Sequence, residues 1–276
     1  MHIDETKNIL VVLSVPRSGT TFLCSELALY KNLRVLYEFF KPVSALNVPG
    51  FEKILLDKTL YEQPETQRVI EAHVDYMPHR TMLERHEYMH ILGEREDTDR
   101  SGITFLLDRI NADPVAALNR ACEIIPEDIC IKIHRDHTLP LLDIIRQPNV
   151  RTILLERRDH LARHVSHLKA LKTGEWFNTD TSNTKVRVNL KRFQKECQEI
   201  DAWFALVRQT LAALDRPYLD LTYEDWFLPY DRTRFFNMMD DFVSRFCSST
   251  EKRTRTEFLY QKQMNGNLHN NIDGWA

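Results

Sequence analysis

Residues 8–21 of the chain are NILVVLSVPRSGTT, and this stretch decides the fold. Its first eight residues form a nearly continuous apolar run rich in Val, Leu and Ile, which is typical of a strand buried on both faces of a parallel sheet. A turn that contains proline follows, and residues 20–32 then place Phe22, Leu23 and Leu27 at helical spacing. The sequence therefore predicts a strand, a short loop and a helix in direct succession.

The same alternation of strand and helix recurs along the chain. Further strands are predicted at residues 33–39, 129–134, 150–157 and within YLDLTYEDW at 218–226, where the strand enters a loop. Helices are predicted after Asp113-Pro114, at residues 159–172 and from about 188 to 215. Strands that alternate with helices imply a doubly wound parallel sheet. We therefore predict a three-layer α/β fold in one domain, residues 1–276, with a mostly helical insertion at about 51–111.

Composition limits the class of protein. The 276 residues are 43% hydrophobic and carry a formal net charge of −3, which excludes a disordered chain and a uniformly basic nucleic-acid binder. The five cysteines are scattered and have no CxxC pattern, so neither a disulfide framework nor a metal site is expected. The apolar run at residues 9–15 is too short to span a bilayer. These features favour a cytoplasmic protein without a membrane span.

The loop PRSGTT, residues 16–21, has the features of an anion site. A helix N-terminus offers unpaired N–H groups, and Gly19 lets the backbone approach an anion. The guanidinium of Arg17 adds a positive charge and several N–H donors. Ser18, Thr20 and Thr21 add hydroxyl groups. An ordinary strand-to-helix turn with serine and threonine caps is the alternative. The loop is not a Walker A motif, because Thr20 stands where that motif requires lysine.

Two segments carry a resemblance to a known family. PRSGTTFL resembles the loop that binds the 5′-phosphosulfate in sulfotransferases dependent on 3′-phosphoadenosine 5′-phosphosulfate (PAPS). RRDHLARHVS, residues 157–166, resembles the 3′-phosphate site of that family, in which a serine follows an arginine by eight residues, as Ser166 follows Arg158. The resemblance implies a P-loop-like fold and PAPS as co-substrate, with no metal.

Shorter segments resemble the same family. LTYEDW at residues 221–226 is similar to a structural Tyr-Glu-Asp segment, and Lys262 in YQKQMNGNLHNN lies where relatives place a basic loop over the cofactor. A solvated tail is the alternative for Lys262. ALKTGEW, residues 170–176, is similar to bacterial carbohydrate sulfotransferases of the trehalose and nodulation-factor type. The resemblance covers the sheet core, about half of the chain.

Transfer to a hydroxyl requires a base, and two residues are candidates. Glu38 lies at the end of the second predicted strand, and the resemblance to carbohydrate sulfotransferases favours it; pairing with Lys41 on the surface is the alternative. His134 ends the strand IKIH, where cytosolic sulfotransferases carry Lys-Thr-His, and it is the second choice or an acceptor ligand. A partly buried histidine that hydrogen-bonds to the backbone is the alternative. Arg17 is expected to stabilise the charge that grows on the leaving phosphate oxygen.

The sequence thus predicts a sulfotransferase that moves a sulfuryl group from PAPS to a hydroxyl of a carbohydrate or glycolipid acceptor. A P-loop kinase of a small metabolite and a non-catalytic nucleotide-binding protein are the alternatives. No nucleic-acid partner is expected. Neither the acceptor nor the oligomeric state follows from the sequence.

Overall fold

The apolar run near the start of the chain forms the central strand of the sheet. The structure, a computed structural model, describes residues 7–36, 39–40, 112–135, 144–173, 181, 183–228, 231–247, 249–252 and 272. Strand β1, Ile9–Ser14, is buried along its whole length. It pairs in parallel with β3, Asp128–His134, on one side and with β4, Val150–Glu156, on the other. Burial on both faces explains why β1 has no alternation of apolar and polar residues.

Two outer strands complete a five-stranded parallel sheet. β2, Leu33–Val35, pairs with β3, and β5, Tyr218–Thr222, pairs with β4. The strand order is β2-β3-β1-β4-β5. The chain therefore leaves β1 toward one edge of the sheet and later returns to build the other edge. Ligands of open α/β sheets gather at such a reversal, outside the carboxyl ends of the strands.

Helices cover both faces of the sheet, which confirms the predicted three-layer α/β architecture. The helices are α1 (Thr20–Leu27), α2 (Pro114–Ile124), α3 (His160–Thr173), α4 (Leu190–Ala213), α5 (Tyr223–Phe227) and α6 (Arg232–Val243). Alternate residues of β1 belong to two apolar clusters. One cluster contains side chains of α2 and α4, and the other contains side chains of α1, α5 and α6.

Local capping rules account for several helix starts. Asp113 Oδ1 accepts a hydrogen bond from Ala116 N at 3.0 Å, and Pro114 occupies the first helical position, as the sequence predicts. Asn189 caps α4 in the same way through Arg192 N at 3.0 Å. Each side-chain acceptor satisfies an N–H group that has no partner within its helix.

Two local predictions were wrong. The second strand was expected over residues 33–39, but β2 ends at Val35 and Phe39 lies in a turn. The segment YLDLTYEDW was expected to leave its strand through a loop, but Thr222 is followed at once by the helical turn α5. Phe227 closes this turn onto Phe22 of α1, with ring centroids 5.4 Å apart. Packing of aromatic side chains against α1 therefore stabilises helix where the sequence pattern predicted irregular chain. The expected insertion at residues 51–111 lies outside the described residues, and the single-domain assignment stays a prediction.

The described helices also bear on the membrane question. None of them is both long enough and apolar enough to cross a bilayer. All five cysteines lie within the described ranges, and none of them forms a disulfide bond. Cys24 and Cys130 are fully buried in the same apolar cluster, which is usual for thiols that serve as small hydrophobic side chains.

Candidate functional site

Two loops that follow neighbouring strands form the candidate site. The first joins β1 to α1, and the second joins β4 to α3. Because β1 and β4 pair in parallel, both loops leave the same edge of the sheet side by side. The buried hydroxyl of Ser14 donates to Leu155 O at 2.6 Å and ties the ends of the two strands together. The fold therefore brings the two sequence-predicted anion segments into contact.

The first loop has an unusual backbone. Arg17 has φ +71° and Gly19 has φ +86°, so two of its residues are in the left-handed region. A Cβ atom on Gly19 would lie 2.7 Å from the ring of Tyr223, which shows why glycine stands there. Ser18, between them, is fully buried, and its Oγ makes no hydrogen bond to any described residue. The loop keeps a buried hydroxyl donor available beside a cation.

Arg17 links the two predicted segments. Its Nε donates a hydrogen bond to Ser166 Oγ on α3 at 3.0 Å. Burial, and secondarily the positive charge of Arg157, lowers the pKa of Arg17 to about 10. Arg17 is therefore still a cation at neutral pH, held in surroundings that favour an anionic neighbour.

The next pair of arginines has two different environments. Arg157 is buried, its Nη1 donates to Arg17 O at 3.1 Å, and its guanidinium lies 4.7 Å from the ring centroid of Tyr223. Arg158, which the spacing to Ser166 selected, turns its side chain outward, with Nη1 3.8 Å from Asp225 Oδ2. The structure thus brings Ser166 to Arg17 and does not place the side chain of Arg158 among their contacts.

The carboxyl end of β3 adds two polar side chains. His134 pairs in register with Ser14 at the end of β1. Lys132 is buried, and its Nζ donates to Thr21 Oγ1 at 3.5 Å across to α1. Residues two apart on a strand share a face, so Lys132 and His134 lie on the side of the sheet that α1 covers. Lys132 is a site residue that was not among those predicted from the sequence. Its position two residues before His134 on the same strand could have indicated it, because such residues share a face of the sheet.

A buried ion cluster supports the start of α3. Arg163 Nη2 donates to Glu196 Oε1 of α4, and His164 Nδ1 lies 2.7 Å from Glu196 Oε2. Hydrogen bonding from His164, followed by that from Arg163, lowers the pKa of Glu196 to about 2 despite the opposing effect of burial. Burial and the charge of Arg163 lower the pKa of His167 to about 4. The helix that presents Ser166 is therefore fixed to α4 by charged contacts.

Acid should destabilise the protein in two pH windows. His167 titrates near 6.5 in the unfolded chain and about 4 when folded, so its stabilising contribution is lost as pH falls from 6.5 toward 4. Glu196 titrates near 4.5 unfolded and about 2 folded, so its contribution is lost between those values. Urea unfolding followed from pH 7.5 to about pH 2 measures both windows. His167→Gln should remove only the upper window, and a stability profile that is flat in wild type would contradict the assignment.

The remaining predicted residues divide into two groups. Thr20 is buried at the start of α1, and Thr21 receives the bond from Lys132. Glu38 and Lys262 lie outside the described residues, so the assignments of base and of basic loop stay predictions. The expectation that no metal is used also stays a prediction.

Comparison with known proteins assigns the chain to no family. No family model matches the chain, and no curated protein matches its sequence. What the site can do chemically is therefore argued from its own residues. Buried guanidinium groups, a lysine and hydroxyl donors that converge at a helix start are suited to bind phosphate or sulfate groups.

Proposed function

We propose that the chain is a PAPS-dependent sulfotransferase that transfers a sulfuryl group to a hydroxyl of a carbohydrate or glycolipid acceptor. The observation that carries the proposal is the hydrogen bond of 3.0 Å between Arg17 and Ser166. These residues belong to two segments, each of which resembles one of the two phosphate-binding segments of that enzyme class. A single nucleotide with phosphate groups on both the 3′ and the 5′ positions of its ribose requires the two segments to lie close together.

The first loop suits the 5′-phosphosulfate. The start of α1 supplies backbone N–H groups, and Ser18, Thr20 and Thr21 supply hydroxyl groups. Arg17 adds a cation that burial makes more effective, because charge interactions are stronger in surroundings that exclude water. Ser166, with one of the two arginines at the end of β4, suits the 3′-phosphate. The eight-residue spacing predicts Arg158 for that contact, but its side chain is turned outward beside Asp225.

The reaction follows from these roles. The acceptor oxygen attacks sulfur, its proton passes to Glu38 or, as second choice, to His134, and the bond from sulfur to the phosphate oxygen breaks. The products are the sulfate ester and 3′-phosphoadenosine 5′-phosphate. Arg17 and Lys132 meet the charge that grows on the departing oxygen. A sulfuryl group carries less negative charge than a phosphoryl group, so this scheme needs no magnesium.

The proposal predicts selective binding of the bisphosphate product. We expect 3′-phosphoadenosine 5′-phosphate to bind about 100-fold more tightly than AMP, because only the first can contact Ser166 with a 3′-phosphate. Calorimetry with both nucleotides and with ATP–Mg measures this. Equal affinity for the first two would contradict the proposal, and preference for ATP–Mg would favour a kinase instead.

Transfer itself is tested with radiolabelled PAPS and a panel of oligosaccharides, glycolipids and phenols. Glu38→Gln is expected to lower the rate on an active acceptor about 10²- to 10⁴-fold, the usual contribution of a general base. Glu123→Gln, on the exposed face of α2, is the matched control. If the bisphosphate binds tightly but no acceptor is sulfated, the non-catalytic nucleotide-binding alternative gains.

A further inference from the structure

The two arginines at the end of β4 are adjacent in sequence but differ in burial. The side chain of Arg158 is 65% exposed, whereas Arg157 as a residue is 9% exposed. Successive residues of a strand face opposite sides of the sheet, so Arg157 continues the row of Ile153 and Leu155 toward α1. Arg157 therefore enters the space between the two loops, and Arg158 faces away from it.

Tyr223 and Arg17 fix the orientation of the Arg157 guanidinium. Its Cζ lies over the Tyr223 ring, and its Nη1 donates a hydrogen bond to the carbonyl oxygen of Arg17. Its Nε is buried and donates to no described residue. The Nε side of a guanidinium is one of the edges that can grip two oxygens of a phosphate or carboxylate at once. The Nε–H group of Arg157 is thus a donor beside the Arg17 loop that a bound anion could accept from.

Two more buried donors near Arg17 are likewise without an acceptor among the described residues. They are Ser18 Oγ and Arg163 Nε, and both residues are almost fully buried. Ser18 follows Arg17 directly, and Arg163 precedes Ser166 by three residues, so that both lie on one face of α3. Buried donors rarely stay unsatisfied in folded proteins. A ligand with several acceptor oxygens explains all three.

We propose that Arg157, not Arg158, is the arginine of the β4–α3 junction that binds the phosphate, with Ser18 and Arg163 as further donors to the same bound ligand. The inference rests on the proposed function in so far as the anion is a nucleotide phosphate. The buried donors themselves require only a ligand that carries phosphate or sulfate groups. Arg158 then makes only a surface ion pair, with Asp225.

Calorimetric titration of the full chain with 3′-phosphoadenosine 5′-phosphate separates the two arginines. Arg157→Gln is expected to weaken binding about 10- to 100-fold, the usual effect of losing a charge-assisted hydrogen bond, and Arg157→Lys by less. The matched control Arg158→Gln should stay within about threefold of wild type, as surface ion pairs contribute little. The opposite ranking of Arg157→Gln and Arg158→Gln overturns the proposal.

Ser18→Ala keeps the proposal testable if Arg157→Gln does not fold. Because the hydroxyl has no acceptor among the described residues, its removal should leave thermal stability unchanged or higher while affinity for the bisphosphate falls about fivefold or more. A purely structural serine would instead leave affinity unchanged, and that result counts against the proposal.

Pyrophosphate as a second titrant distinguishes failure of this inference from failure of the proposed function. If the bisphosphate binds no better than AMP, but pyrophosphate binding is lost in Arg157→Gln and kept in Arg158→Gln, the inference stands and the sulfotransferase proposal fails. If the bisphosphate binds tightly and only Arg158→Gln loses it, the inference fails and the function stands. Absence of binding for both titrants in wild type refutes both.

Discussion

Gly19→Ala is expected to lower the free energy of unfolding by about 2–5 kcal/mol, a large fraction of the stability of an ordinary domain. Two effects add. Alanine in the left-handed region, at φ +86°, costs about 1–2 kcal/mol. Its Cβ would also lie 2.7 Å from Cδ2 and Cε2 of Tyr223, and displacing a packed ring costs about 1–3 kcal/mol more.

Tyr223 cannot shift without disturbing its own contacts. Its ring carries the Arg157 guanidinium on one side and packs on Phe227, with centroids 5.6 Å apart. A double-mutant cycle with Tyr223→Leu therefore isolates the clash. Urea unfolding of the four proteins should give a coupling of about 1 kcal/mol or more, because the smaller side chain leaves room for the new methyl group. Additive effects would show that backbone strain alone makes glycine necessary.

The sheet core could be predicted because its signals are local. The apolar run of β1, the cap at Asp113 and the helical pattern of residues 159–172 each determine their element without reference to distant parts of the chain. The segment after β5 could not, because the short helix α5 exists only where Phe227 packs on α1. Tertiary contacts of this kind override a local preference for loop.

The site was predictable in part for the same reason. Both anion segments are strand-to-helix junctions with short motifs, so Arg17 and Ser166 could be selected from sequence. Counting eight residues back from Ser166 selected Arg158, whereas the alternation of β4 brings Arg157 inward. Contacts between distant segments carry no such signal. The pair of Arg163 and Glu196, 33 residues apart on separate helices, becomes visible only when α3 and α4 pack together.

The strained backbone of Arg17 is best explained by what its side chain does. A residue other than glycine at φ +71° is unfavourable by about 1–2 kcal/mol, and such strain persists where surrounding structure and function require it. Glycine would adopt this conformation at less cost than arginine, as Gly19 does two positions later in the same loop. Arginine supplies in exchange the buried cation that binds Ser166.

Arg17→Gly and Arg17→Met separate the effect of losing the cation from the effect of relieving the positive φ. Both remove the cation. Under the proposed function, loss of one donor to the leaving oxygen should lower the rate constant of sulfuryl transfer about 10²- to 10³-fold in each. Their stabilities should differ, because only glycine relieves the strain of the positive φ. Arg17→Gly is expected to unfold at a urea concentration equal to or higher than that of wild type, and Arg17→Met at a lower concentration than Arg17→Gly.

Arg17→Lys keeps the positive charge but lacks the several N–H donors of a guanidinium, so its transfer rate constant should lie between that of wild type and those of the other two variants. If Arg17→Gly transfers sulfate at the wild-type rate, the strained arginine is not the cation that drives departure of the phosphate, and Lys132 becomes the residue to replace next.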